Sequence, residues 1–579
     1  MDGASRILSV LHVLCVSAAC LAEPAPSTAG AVDDETATPP FRVLVVPAIS
    51  NHWILPHEPV EHALPEATIE LTACRREYES GSFVIQAGRQ LTNVRLAAQD
   101  LTGPAGTIPA SAIDLRVVKV WHLAGDFLYI REETFRFGPE LLLKDDSLVQ
   151  VDFEKKVNTL KMDKDAMRDA DELQPFDVPA NTVKQCWMTL QVPPDAAAGE
   201  YGGAVFVRPD GETAIEVPIR LRVLPFDLDE PNMICSMYYR GKLGAKEPTC
   251  TSEQKTEEQM LAEFKDMFAH GVTHPNVYVG PNGKNPDGTY DLTNIQRVFD
   301  LRKQAGMVGG PLLMLTVNVG SPPELLKATM DLATQNGFKE VYFAAQDEAK
   351  GDGLRKQRAA MKRVHEMGAK VFVANFADDA YQIVGDLLDL PVMAGSLHES
   401  KLRATARSFR SIGRKVMSYA NPQGGMEWPE NYRRHYGLEL WHAGLDGACT
   451  YAYQHSFGHA WDDFDGASGW PLRDHNMAYP TVNGVIPTMQ WEGYREGYDD
   501  LRYVATLENL IEKHTFHDGA VGEAARTAQH WLMRLDPHAD QDPGARRGVY
   551  KGKQTLDEIR ASIVEQILIL RRVIADDAQ

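Results

Sequence analysis

The chain has 579 residues, 44% hydrophobic and 24% charged, with 45 Gly and 34 Pro, which makes it too long for one core and rich enough in turn residues for two or three domains. Its 59 basic and 80 acidic residues give a net charge of -21. Such a surface repels nucleic-acid phosphates and anionic membranes, so no nucleic-acid partner is expected and a neutral ligand suits it better.

Met1 to Ala22 carries one Arg, an apolar stretch from Ile7 to Val16 and a small-residue end, Ser17-Ala18-Ala19-Cys20-Leu21-Ala22. It resembles an export signal cleaved after Ala22, with lipidation at Cys20 as the alternative, and it implies a periplasmic or extracellular protein. The apolar run is too short to span a bilayer, and no later segment reaches about 18 uninterrupted apolar residues, so no integral membrane segment is expected. Glu23 to Pro40, rich in Pro, Ala, Thr and acids, reads as a flexible leader.

Five cysteines follow the signal: Cys74, Cys186, Cys235, Cys250 and Cys449. They are sparse and odd in number, which argues against a disulfide framework, and no CxxC pair offers zinc spacing. His52, His57 and His62 lie in a Pro-rich segment and read as turn or surface residues. No metal or cofactor is expected.

From 41 to 228 the pattern is short and alternating, with strands such as Phe41 to Val46, Gly81 to Gln86, Lys184 to Val192, Gly202 to Val207 and Ile215 to Val223 separated by turn residues. This predicts an antiparallel β-sandwich. Met162 to Leu173, dense in Asp and Lys, reads as an exposed insertion, and Pro225 to Pro231 as a hinge.

The period changes at Asn232. Eight candidate strands follow, Met233 to Tyr239, Pro275 to Val279, Leu312 to Val317, Val341 to Gln346, Lys370 to Asn375, Leu390 to Gly395, Lys415 to Tyr419 and Gly447 to Tyr453, most with helical patterns between them. Glu257 to Ala269 and Ile295 to Gly306 are the clearest helices, each ending near a Gly. A (β/α)8 barrel over 232–500 accounts for this alternation, and the loops after its strands gather at one face.

The fourth candidate strand ends in two acids, Asp347 and Glu348, ahead of the turn Gly351 to Gly353. One use of such acids is to cap the following helix or to sit solvated in its first turn. The other is catalytic. Adjacent strand residues point to opposite faces, so both acids can serve one pocket only if the strand ends or bulges there. Strand-end polar groups Asn375, Tyr451 and Tyr453 are the matching candidates for substrate contacts.

After Tyr453 the chain turns aromatic and Gly-rich through Phe457, Trp461, Phe464, Trp470, Tyr479 and Trp491, a composition that can wall a sugar cleft, with Trp461 and Trp491 as candidate stacking residues. An ordinary packed loop would use the same residues. Gly497 to His514, Gly522 to Leu535 and Thr555 to Asp576 read as helices, giving a C-terminal helical region over 501–579. The stripe Ile559, Ile563, Ile567, Leu570 and Ile574 reads as core packing.

Several of these stretches resemble glycoside hydrolase family 123 and its wider relatives. They are Ala73-Cys74-Arg75-Arg76-Glu77-Tyr78-Glu79-Ser80, Val192-Pro193-Pro194-Asp195-Ala196, Asp347-Glu348 and Trp491-Glu492-Gly493-Tyr494-Arg495-Glu496-Gly497-Tyr498-Asp499-Asp500, the last being the most specific. The resemblance implies removal of a β-linked N-acetylhexosamine, N-acetylgalactosamine first, from a glycan or glycoconjugate. It also implies a retaining mechanism in which the substrate's own 2-acetamido oxygen attacks the anomeric carbon, so the usual two-carboxylate spacing does not apply. Asp347 would hold the acetamide and Glu348 would act as general acid/base. Ala349 stands where relatives commonly have Pro. Two other readings stand beside this one: a non-catalytic carbohydrate-binding or scaffold protein, and a glycosidase of different sugar specificity with a carboxylate nucleophile.

Overall fold

The computed structural model describes residues 39–125, 135–375, 379–397, 400–466, 473–541 and 550–577. The expected signal, Cys20 and nearly all of the expected leader lie outside these residues, as does Trp470.

Two sheets form the first part. One orders Phe41–Val46, Tyr78–Ala87, Val183–Gln191, Ile113–Ala124 and Phe135–Leu143, all antiparallel. The other orders Phe176–Val178, Leu91–Ala98, Gly199–Arg208, Ile215–Val223 and Ile69–Ala73. Alternate residues of both, such as Phe83, Ile85, Cys186 and Met188 from the first and Val205, Val207, Ile219 and Leu221 from the second, are buried in one core. The expected all-antiparallel pairing fails at one place. Ile69–Ala73 lies parallel to Ile215–Val223, because the rest of the domain acts as the long crossover that a parallel pair requires.

Two expected loops carry more structure than their composition suggests. Met162 to Leu173 is exposed over much of its length, yet Met167 is fully buried in the core and Asp169 accepts from the backbone of Lys144 and Asp145. Pro225 to Pro231 is packed rather than loose, since Phe226 and Leu228 are buried against the C-terminal helices and Asp229 N–H donates to Thr506.

The second part contains a closed barrel of eight parallel strands: Ile234–Tyr239, Asn276–Val277, Pro311–Asn318, Glu340–Ala344, Lys370–Asn375, Leu390–Ala394, Met417–Tyr419 and Gly447–Thr450. Each lies within two residues of its predicted position or inside it. Closure depends on Gly447 opposite Ile234, where a Cβ would lie 2.3 Å from the Ile234 carbonyl oxygen. The outer helices start where the sequence supplies caps. Glu257–Ala269 opens with a capping box between Thr256 and Gln259, and Pro323–Gln335 opens on Pro at its first position.

Helix Met489–His514 is capped by the Thr488 side chain and begins eight residues ahead of the predicted Gly497. The glycines that disguised it serve packing. A Cβ on Gly493 would lie 2.1 Å from the Pro429 carbonyl, and one on Gly497 2.7 Å from that of Arg433, so this helix meets helix Pro429–Tyr436 backbone to backbone. Helices Gly519–Leu532 and Leu556–Asp577 complete the chain, with Ile559, Ile563, Ile567 and Leu570 buried and Ile574 partly so.

Candidate active site

The C-terminal mouth of the barrel collects the residues that follow its strands: Arg240 after the first, Tyr278 after the second, Asp347 and Glu348 after the fourth, and Tyr451 after the eighth. Tyr419 ends the seventh.

The strand carrying the acid pair stops at Ala344, three residues before Asp347. The chain keeps bonding to its neighbour beyond that point: Ala345 N–H donates to Phe372 O at 2.9 Å and Glu348 N–H to Ala374 O at 3.2 Å. Between them Gln346 N–H donates to Gln357 Oε1 at 2.6 Å, and Glu348 adopts a left-handed φ of 50°. This turn meets the condition set by the sequence, because the strict alternation of a strand no longer applies to the two acids. Capping is excluded as their use. Helix Asp352–Glu366 has Gly351 at its N-cap and no side-chain cap bond. Ala349, at the position where Pro was expected, is buried in the core between barrel and helices.

Asp347 and Glu348 are both exposed. The Asp347 carboxyl nevertheless titrates above its ordinary range, first because the surrounding mouth strips it of water and next because Glu348 stands beside it. Three phenols share its field. Burial raises the pKa of Tyr238, Tyr278 and Tyr451, and the charge of Asp347 adds to the rise in each. Tyr238 packs edge-on to Tyr419 at 5.9 Å and tilted against Tyr451 at 5.5 Å. Arg240 donates to Glu253 and, through Nη1, to Tyr451 Oη at 3.0 Å, and its guanidinium lies 5.2 Å over the Tyr278 ring.

The other predicted contacts divide. Tyr451 stands in the mouth. Asn375 closes the fifth strand, and its side chain lies outside the described residues. Tyr453 and Trp491 are fully buried on the outer side of the barrel, where both donate to Asp266 Oδ2 at 2.8 Å, and Trp491 stacks on His270 at 4.3 Å. Trp461 is 3% exposed in the core of the first part, donating to Pro480 O and packing against Trp121 and Tyr479. Trp461 and Trp491, expected to stack on a sugar, and Tyr453, expected as a polar sugar contact, are corrected to packing residues, because each ring is buried and each indole or phenol donor is already satisfied. Arg240, Tyr238 and Tyr278, which stand with Asp347 at the mouth, were not among the sequence candidates, although they occupy strand ends by the same logic that located Asp347.

The family-like motifs away from the mouth form a buried charge cluster. Arg560 bonds Asp500, Glu79 and the Glu496 backbone carbonyl, Arg433 bonds Asp500, and Glu77 accepts from Cys74 N–H and Tyr503. Among the described residues no group of three His, Cys, Asp or Glu could hold a metal ion, no disulfide forms between the five cysteines, and no helix is long and apolar enough to cross a membrane.

Residues 55–209 match the family model described as the Glycoside hydrolase 123 N-terminal domain. Among solved structures, a family 123 glycoside hydrolase from Clostridium perfringens, described in connection with glycolipid glycan hydrolysis, aligns over 93% of this chain and 99% of its own with TM-score 0.62 at 12% identity. A GH5 xyloglucanase from Bacteroides ovatus aligns over 75% of this chain and 98% of its own, but with TM-score 0.28 at 9% identity. No curated protein matches the sequence. Residues 55–209 thus match the N-terminal domain of glycoside hydrolase family 123, and the fold seen in a family 123 enzyme extends along nearly the whole chain.

Proposed function

We propose that the protein is an exported glycoside hydrolase that removes β-linked N-acetylhexosamine, with N-acetylgalactosamine as the first candidate, by a retaining, substrate-assisted mechanism. The two sheets of the first part are read as a β-sandwich over 41–228, followed by the catalytic barrel over 232–500 and a helical region over 501–579. The observation that carries the reading is the kinked strand end that presents Asp347 and Glu348 among the aromatic and polar residues of the barrel mouth.

In this mechanism Asp347 orients the 2-acetamido group and balances charge on the cyclised intermediate. Glu348 protonates the leaving oxygen and then removes a proton from the incoming water. The raised pKa of Asp347 fits a carboxyl that shares a proton with the amide N–H of a bound acetamide. The tyrosines offer ring faces and hydroxyls to a neutral sugar, in keeping with the acidic surface. Glycolipid glycans enter as a substrate class by analogy with the Clostridium perfringens enzyme.

Chromogenic glycosides with and without the 2-acetamido group test the reading. Turnover restricted to the acetamido substrates is expected, and equal hydrolysis of both types would move the assignment to a carboxylate nucleophile. Binding of glycans without turnover of any of them would leave the scaffold alternative.

A further inference from the structure

The hydroxyl of Tyr451 has two partners, Arg240 and His455. Arg240 Nη1, which can only donate, lies 3.0 Å away, so the phenol oxygen accepts from it. The Tyr451 proton is then free to donate to Nδ1 of His455, 2.9 Å away, and the proposal below takes that direction. An imidazole nitrogen that accepts carries no proton, which leaves the proton of the neutral ring on Nε2. Burial, and after it the charge of Arg240, lowers the His455 pKa to about 4, so the neutral ring prevails at neutral pH.

The arginine that sets this arrangement is held firmly. Its Nε and Nη2 both face Oε1 of Glu253, whose other oxygen takes Lys242 Nζ at 2.8 Å. The His455 ring is confined as well: edge-on to Tyr451 at 5.3 Å, tilted against Phe457 at 4.8 Å, and nearly parallel to His475 at 6.0 Å. It remains only half-buried, and Nε2 has no protein acceptor among the described residues.

We propose that His455 is a specificity-determining residue whose Nε2–H donates to a hydroxyl or other acceptor oxygen of the bound sugar, fixed in that tautomer by the chain Glu253, Arg240 and Tyr451. This rests on the barrel mouth being the glycoside site. A neutral donor suits a neutral sugar, and a locked tautomer gives the site an unambiguous preference for an acceptor at one position. Removal of that acceptor strands a half-buried N–H, which is how hydrogen-bonding sites discriminate most sharply.

The test uses full-length protein, a glycoside that the wild type hydrolyses and its monodeoxy analogues, with kcat and KM measured separately. At one ring position the wild type should lose about 10-fold or more in kcat/KM on deoxygenation. His455→Phe should lose a similar factor on the intact substrate and show no further loss on that analogue, whereas His455→Gln, which restores an N–H donor, should recover part of the discrimination. Tyr451→Phe should weaken the same discrimination by releasing the tautomer. Discrimination unchanged in His455→Phe at every position, or no difference between the Phe and Gln variants, overturns the proposal while leaving the site assignment intact. No turnover of any glycoside by the wild type removes the site assignment and the proposal together.

Discussion

The hydroxyl of Tyr503 donates to Oε2 of Glu77 at 2.8 Å, joining helix Met489–His514 to the start of a strand in the N-terminal sheets. The Glu77 carboxyl is fully buried, and burial together with nearby Asp499 pushes its pKa up to about 8. A carboxyl whose pKa in the folded protein exceeds its unfolded value of about 4.3 favours folding while protonated, and that contribution fades as pH rises through the folded value. The melting temperature should therefore fall as pH is raised from about 5 to about 8.5. Glu77→Gln keeps an acceptor for Tyr503 and should flatten this slope in a thermal-shift series, and an unchanged slope would assign the effect to Glu79 and Glu496, which burial also raises.

Glu348→Gln and Asp347→Asn should each fold normally and lower kcat by about 100-fold or more. They should fail differently on substrates with activated leaving groups. Loss of Glu348 removes a proton donor that such substrates do not need, so their first step should be spared, whereas loss of Asp347 leaves the acetamide unheld and should be rescued much less. Added azide should yield no protein-trapped product in either variant.

Trp491→Phe and Tyr453→Phe each remove one donor from the partly buried Asp266 carboxylate. Both should destabilise the protein by about 1–3 kcal/mol, with KM for the glycoside unchanged. A KM effect larger than the stability loss would return these residues to the sugar site.

Gly493→Ala places a methyl group 2.1 Å from the Pro429 carbonyl oxygen and should cost about 2 kcal/mol or more, despite the higher helix propensity of Ala. Denaturant unfolding measures it. A stabilised variant would contradict the backbone-to-backbone contact of the two helices.

Protein purified from its native host should begin near Glu23, or at a lipidated Cys20. Intact-mass analysis decides, and an N-terminus at Met1 would remove the proposal of export.

The eight barrel strands were legible because each is a short apolar run flanked by turn residues or Gly, a local signal that survives without any knowledge of neighbours. The placement of Asp347 and Glu348 at the barrel mouth was legible for the same reason, since an acid pair at the end of such a run breaks the pattern. What was not legible depends on partners distant in sequence. Nothing in Ile69–Ala73 announces a parallel neighbour at Ile215–Val223, and the glycines of Trp491 to Asp500 look like loop residues until the facing helix is known. Trp461, Trp491 and Tyr453 show the same limit, because an aromatic side chain reads alike in sequence whether its ring face meets a sugar or a protein core. His455 emerged only from the Arg240 and Tyr451 geometry.

Arg560 reaches back 481 positions to Glu79 with Nη1 at 3.0 Å from Oε1. On the ribosome this carboxyl therefore waits for almost the entire chain to be made before its counter-charge exists. Until then the N-terminal sheets must either hold Glu79 protonated or leave that edge open to water. Shortened versions ending before helix Leu556–Asp577 should consequently emerge as aggregation-prone species even though every barrel strand is present, and expression of the barrel and sheets without the last helix is the wrong starting point for isolating a minimal enzyme.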